Sequence, residues 1–183
     1  DVTAVGPQTG IDDFQRKFHE SLSLPMPTQT NQLGNEVFFS ATAELSQTLT
    51  LGNNMTLRPF AEAQTGVEDL VRVGGDLMIG PVGQSDLMLR DVVTGQLYRG
   101  TNDGASGVSY LLGADIAAVT GSAYLPEDEG YVVAETRARA RAGVLWQPTD
   151  DISFFYGLSY LGEEFEDQPE GQVVGSLKLN FNF

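Results

Sequence analysis

Cysteine is missing from all 183 residues, so the chain can hold no disulfide framework, no zinc–thiolate site and no thiol nucleophile. That silence fits several compartments, the bacterial outer membrane among them. Histidine occurs once, at His19. Basic residues are few, 10 Lys and Arg against 25 Asp and Glu for a formal charge of −15. Phosphate backbones need a basic face that releases counterions, so nucleic acid is excluded as a partner. Long apolar runs are also lacking: no stretch of about 18 apolar residues exists to cross a bilayer as a helix. Strands are not excluded, because the alternating strands of a β-barrel leave the mean hydropathy unremarkable, here −0.13. Neither an initiating methionine nor a signal-peptide pattern opens the sequence at Asp1, which reads as a processed or truncated chain.

What is present suits one folded unit, with 41% apolar and 9% aromatic residues in a chain of single-domain length. Two regions differ in pattern. Residues 1–36 are rich in Gly, Pro, Gln and Asn and show no period of two; they read as loop and short helix. From Val37 onward, through residues 37–183, the period of two dominates and predicts antiparallel strands. In "VFFSATAEL" Val37, Phe39, Ala41, Ala43 and Leu45 share one face, opposite Phe38, Ser40, Thr42 and Glu44. "LGNN" marks a turn. In "TLRPFAEAQTGVED" Leu57, Pro59, Ala61, Ala63 and Val67 oppose Arg58, Glu62, Gln64 and Glu68, with Phe60 as the exception. The clearest strand is "VAETRARARAGVLW", where Glu135, Arg137, Arg139 and Arg141 lie on one side and small or apolar residues up to Trp146 on the other. "ISFFYGLSYL" and "VVGSLKLNFNF" follow, the first with Ile152, Phe154, Tyr156, Leu158 and Tyr160 on one face, the second with Val173, Leu177, Leu179, Phe181 and Phe183.

About seven or eight strands result, many of 10 to 14 residues, longer than the usual five or six of soluble sheets. Such strands suit an all-β antiparallel transmembrane barrel, whose tilted strands cross the hydrocarbon in about 9 to 11 residues, apolar outside and polar within. Its lumen would then hold the arginine row. The alternation ending in Phe183 resembles the C-terminal strand signal of bacterial outer-membrane barrels. A soluble sandwich or lipocalin-like barrel also alternates. There, however, the arginine row would be buried at a prohibitive desolvation cost unless paired, or else leave an alanine-dominated core.

Within the first region, Asp12 to Glu20 places Phe14 and Phe18 four apart and Gln15 and His19 four apart on the next stripe, which predicts a helix of two to three turns. "GPQTG" precedes it as a turn and Pro25 follows it. A neutral imidazole beside a water can act as general base, and an amide one turn away can orient that water or donate to an oxyanion. The plainer reading of a lone histidine is a surface or structural residue.

"DVTAVGPQTGIDDFQRKFHE" followed by "NQLGNE" resembles the lipid A 3′-O-deacylase family of outer-membrane barrels. The shared features are a Val-Gly-Pro stretch, a Gln and a His four apart on a short helix, and an Asn-Gln-Leu-x-Asn-Glu segment. At the other end, "YLGEEFEDQPEGQVVGSLKLNF" resembles the family's final hairpin with its Glu-Phe-x-x-Gln and Gly-Ser-Leu elements. The resemblance implies an outer-membrane location, lipid A or lipopolysaccharide as substrate and a calcium-dependent esterase that removes the 3′-linked acyloxyacyl group. His19 would be the general base and Gln15 a neighbouring active-site group. A calcium ion would polarise the ester carbonyl, as in secreted phospholipases A2, with no serine nucleophile. Arg137, Arg139 and Arg141 would meet lipid A phosphates, or else balance luminal carboxylates.

The chain also departs from the family pattern. The family barrel has twelve strands, and its N-terminal part, which supplies an Asn-Asp pair to the catalytic centre, has no counterpart here. Gln29 and Thr30 stand where a tryptophan and an acidic residue usually precede the Asn-Gln segment. An open set of strands would expose unpaired edges to lipid and surrounding outer-membrane lipids cannot satisfy them. The expectation is therefore a second chain or segment that completes the barrel, or a divergent barrel without activity. The competing function is a non-catalytic outer-membrane barrel, a structural component of the membrane or of a larger assembly.

Overall fold

Period-two alternation carries into long antiparallel strands. The computed structural model describes residues 2–5, 11–22, 36–102, 104–125, 130 and 132–181. In chain order the elements are β1 (Val2–Val5), α1 (Ile11–Leu22), β2 (Glu36–Phe39), β3 (Ala41–Ser46), β4 (Leu49–Gly52), β5 (Met55–Thr65), β6 (Glu68–Ile79), β7 (Met88–Arg90), β8 (Leu97–Arg99), β9 (Gly107–Ser122), β10 (Thr136–Thr149), β11 (Ile152–Leu161) and β12 (Gln172–Phe181). Eight of them form one sheet in the order β12-β11-β10-β9-β6-β5-β3, with β4 also paired to β5. Its principal strands are 10 to 16 residues long, the length a tilted membrane-crossing strand needs. Two smaller pairs, β1–β2 and β7–β8, stand apart from it. The first places a strand at Val2–Val5, where the composition suggested only loop and helix.

The two faces of the sheet separate as the sequence pattern requires. Outward stand Val71, Val73, Tyr110, Leu112, Ile116, Val144, Trp146, Tyr156, Leu158, Tyr160, Leu177 and Leu179, all of them exposed. Inward stand Glu62, Arg72, Asp76, Asp115, Arg139 and Arg141, all of them buried. A water-soluble sheet buries its apolar face, whereas this one buries its charges, the inversion expected when the outer solvent is lipid. Val67 departs from the pattern. Expected on the apolar outer face, it is buried, because Gly66 adopts a φ of 125° and turns the β5–β6 connection against Ser40, whose Oγ accepts the Val67 N–H at 3.1 Å. Any Cβ on Gly66 would lie 2.6 Å from the Phe39 carbonyl oxygen, so glycine alone fits this close approach.

The inward face is not an open lumen. Residues 80–102, between β6 and β9, fold back onto it. Val82, Met88 and Leu97 from this segment join Met78, Leu111, Leu145 and Phe155 of the sheet in one buried cluster, and Tyr98 meets the Phe155 ring edge-on with centroids 5.2 Å apart. Polar groups lock the segment further. Arg90 pairs with Glu44 at 2.7 Å and Asp76 at 2.9 Å while its guanidinium lies 3.5 Å over the Phe60 ring. That stacking explains why an aromatic interrupts the polar face at Phe60. Arg99 binds Asp86 and Gln147, and Lys178 donates to the Arg99 carbonyl at 3.2 Å.

Candidate functional site

Register decides which inward charges meet. Glu62 lies directly across from Arg72 and Arg139 across from Asp115, and such facing pairs are the units from which a sheet is stabilised. Asp115 is the hub: Arg72 Nε approaches one oxygen at 3.1 Å, Arg139 Nε donates to the same oxygen at 2.9 Å, and Arg141 binds the other. Arg72 also donates to Glu62 at 2.8 Å, and Arg141 Nε to Asp76 at 2.7 Å. Glycines make room for these side chains. A Cβ on Gly113 would stand 2.2 Å from Asp76 Oδ1 and 2.5 Å from Arg141 Nε.

The row Arg137, Arg139, Arg141 therefore divides. Arg141 is committed to Asp76 and Asp115, and Arg139 to Asp115 and to the carbonyls of Val92 and Val93, both at 2.9 Å. Arg137 alone stands at the edge of the network, with Nη1 donating to Glu68 at 2.8 Å. Around it lies a cavity of about 480 Å³, at the end of the sheet where β5 meets β6 and β9 meets β10. Its lining mixes polar side chains, Gln64, Glu68, Arg72, Arg137 and Arg139, with apolar ones, Val67, Leu70, Tyr124, Leu125 and Leu161; Leu70 stands between Glu68 and Arg72 on one face of β6, and Leu161 is the register partner of Arg139. Thr3 of β1 and Ser40, next to β2, also border it.

Helix α1 spans Ile11–Leu22, two residues beyond the expected limit at its C-terminal end and one at its N-terminal end. Its two flanking strands pair in register from Val2↔Phe39 to Val5↔Glu36. The helix is thus tethered by a strand pair whose base borders the cavity. Phe14 and Phe18 stack on one another, centroids 6.2 Å apart, but remain 71% and 49% exposed, so within this chain they do not bury the helix against a core. His19 lies in the last turn and is half-buried. Gln15 sits one turn earlier on the same helix, its side chain outside what the structure describes, as are "GPQTG", Pro25, the Asn31–Asn35 part of "NQLGNE", and Phe183. Among the described residues no group of three or more His, Asp or Glu side chains could hold a metal ion. The buried carboxylates Glu62, Asp76, Asp86 and Asp115 each face an arginine, so these four are engaged as ion-pair partners rather than gathered as oxygen donors for a hard cation.

The infolded segment and its residues Arg90, Gln96 and Arg99 escaped the sequence reading. Its only trace is indirect: inward glycines at positions 74, 113, 143 and 157 on strands that otherwise need side chains to fill the space.

Long strands with an exposed apolar face and a charged, plugged interior define the wall of an outer-membrane β-barrel. The chain belongs to the family described as outer membrane protein LpxR, whose family model matches residues 1–183. Among solved structures it is similar to LpxR from Salmonella typhimurium, with a TM-score of 0.77 and 17% identity over 100% of this chain and 65% of that one. The present chain thus spans about two-thirds of the Salmonella chain's length, just under that share. No curated protein matches it. The protein is placed in the outer membrane by its family and fold.

Proposed function

We propose that the protein is an ester hydrolase of the outer membrane that acts on lipid A and releases the 3′-linked acyloxyacyl group. The observation that carries this reading is the placement of His19 and Gln15 one turn apart on a helix tethered by β1 and β2, a strand pair whose far end, at Thr3 and Ser40, borders a cavity lined by both charged and apolar side chains. In such a site His19 takes a proton from water, and the oxygen attacks the ester carbonyl carbon. The tetrahedral intermediate collapses with cleavage of the bond to the sugar oxygen, which receives the proton from the imidazolium, leaving a carboxylic acid and an alcohol. Gln15 donates to the developing oxyanion or holds the water. Family membership over the whole chain supports the substrate class.

Calcium enters the proposal only as a requirement to be measured. Its oxygen donors are not assembled among the described residues, and no step is assigned to it. A second reading, a non-catalytic barrel, draws support from the plugged interior. The two separate in one assay: the full-length protein in detergent, with calcium, is given lipid A and the products are weighed by mass spectrometry. Loss of one acyloxyacyl group, abolished in His19→Ala and by chelation, is expected. Unchanged release by His19→Ala would remove the base, and no release by the parent would favour the structural barrel.

A further inference from the structure

Arg137 and Arg139 lie two residues apart on β10 and face the same way, yet their guanidinium groups are treated differently. Every nitrogen of Arg139 has a partner: Nε and Nη2 donate to Asp115, and Nη1 to the carbonyls of Val92 and Val93. Arg137 is nearly as enclosed, with its side chain only 10% exposed, but Nη1 alone is bonded, to Glu68 at 2.8 Å. Its Nε and Nη2 are buried with no hydrogen-bond partner. An orphaned donor of this kind is costly, on the order of 1–3 kcal/mol or more for a charged group, and native structures rarely leave one without a reason. Nε and Nη2 form the side-on edge of a guanidinium, the edge whose two parallel N–H bonds match two oxygens of one carboxylate or phosphate.

That unpartnered edge belongs to a residue lining the cavity of about 480 Å³. Glu68 stays paired and fixes the fork: Ser122 Oγ donates to the same oxygen at 2.9 Å. Val67, Leu70 and Leu161 line the same cavity, so a ligand there has both a cationic group and apolar side chains within its site. We infer that Arg137 is the anchor of a binding site for the oxyanionic headgroup of an amphiphile, gripped by two oxygens on Nε and Nη2. On the reading under Proposed function, on which this inference rests for its source of ligand, the group is a phosphate of a phosphorylated lipid. Arg139 and Arg141, committed to Asp115 and Asp76, serve as structural charge.

Binding rather than turnover tests the site. Full-length protein carrying His19→Ala is held in detergent and titrated with phosphorylated lipid A, with lipid A stripped of its phosphates, and with inorganic phosphate, using the change in protein thermal stability and a direct affinity measurement. Expected is tight binding of the phosphorylated lipid and a loss of about 10- to 100-fold on removing either the phosphates or the fork, the latter by Arg137→Gln, as for one charge-assisted bidentate pair. Arg137→Lys keeps the charge and can keep the Glu68 pair while removing the fork, and is expected to lose nearly as much. Both variants must show the parent's heat-modifiable migration, so that a folding defect is not read as lost binding. Equal affinity of Arg137→Gln and parent, or equal affinity for the stripped lipid, overturns the inference; parent-like binding by Arg137→Lys overturns the two-oxygen grip. Inorganic phosphate that binds as tightly as the lipid overturns the lipid assignment. Arg137-dependent binding in a protein that never deacylates lipid A would sink the hydrolase reading and leave this site standing.

Discussion

Gln96 reaches from the infolded segment to the backbone of two sheet strands, where its Nε2 donates to the carbonyls of Ala142 and Leu158 at 3.2 and 3.1 Å, and a Cβ on Gly157 would stand 2.7 Å from that nitrogen. Gly143 and Gly157 are register partners on β10 and β11; a Cβ on Gly143 would stand 2.7 Å from the Phe155 ring, so one missing side chain makes room for Phe155 and the other for Gln96. Gly157→Ala is expected to push Gln96 from its seat and to cost about 1–3 kcal/mol by overpacking. Thermal unfolding in detergent reads this as a lower midpoint with unchanged strand content. A midpoint equal to the parent's would show that the segment is not seated as described.

Asp115 carries the charge that Arg72, Arg139 and Arg141 share. Asp115→Asn leaves their guanidinium groups crowded and undercompensated inside the wall, and a loss of about 3–5 kcal/mol is expected, as for a broken buried ion pair. Because these groups are shielded from solvent, the loss should change little between low and high salt. Urea unfolding at two ionic strengths measures both; a loss below 1 kcal/mol would mean that the hub is not where the network is held.

Leu112 stands outward near the middle of β9, 50% exposed and flanked by Leu77 and Ala142 on the neighbouring strands. On a soluble protein, Leu→Arg at so open a position would be nearly neutral. In a bilayer it places a cation in hydrocarbon, and Leu112→Arg is expected to destabilise the folded protein by about 2–4 kcal/mol. Reversible unfolding in phospholipid vesicles makes the comparison.

Trp146 is the single tryptophan and stacks outward on Phe154, centroids 5.3 Å apart. Its fluorescence in vesicles is expected to be quenched by lipids brominated near the headgroup end of the acyl chain and shielded from aqueous iodide, as for the aromatic girdle of a barrel. The reverse pattern would place this face in water.

Much of this was legible residue by residue. Alternation correctly separated Glu62 from Ala61 and Ala63, and Arg139 from Ala138 and Ala140, because adjacent side chains on extended backbone point to opposite faces. The spacing of Gln15 and His19 correctly indicated a helix. The case against a soluble fold leaned on an arginine row left unpaired when buried. Arg139 and Arg141 of that row are in fact both buried and paired, and what favours the membrane is the opposite face, where valine, leucine and aromatics lie open. Val67 misled the pattern because one left-handed glycine inverted the chain locally. The infolded segment could not be read at all: its buried contacts with the sheet have no sequence period, since they form between a folded-back loop and strands far along the chain.

Strand alternation by itself determined which side chains face lipid and which face inward, for the period of two is a local property of the backbone. Which arginine meets which carboxylate was decided only by tertiary structure. Arg141 and Asp76 are 65 positions apart, and their meeting depends on the register of β10 on β9 and of β9 on β6. The same register, with the segment that folds back after Gly80, satisfies Arg139 and leaves one edge of Arg137, a residue of the cavity lining, without a partner, although the two stand identically in the repeating pattern "RARAR".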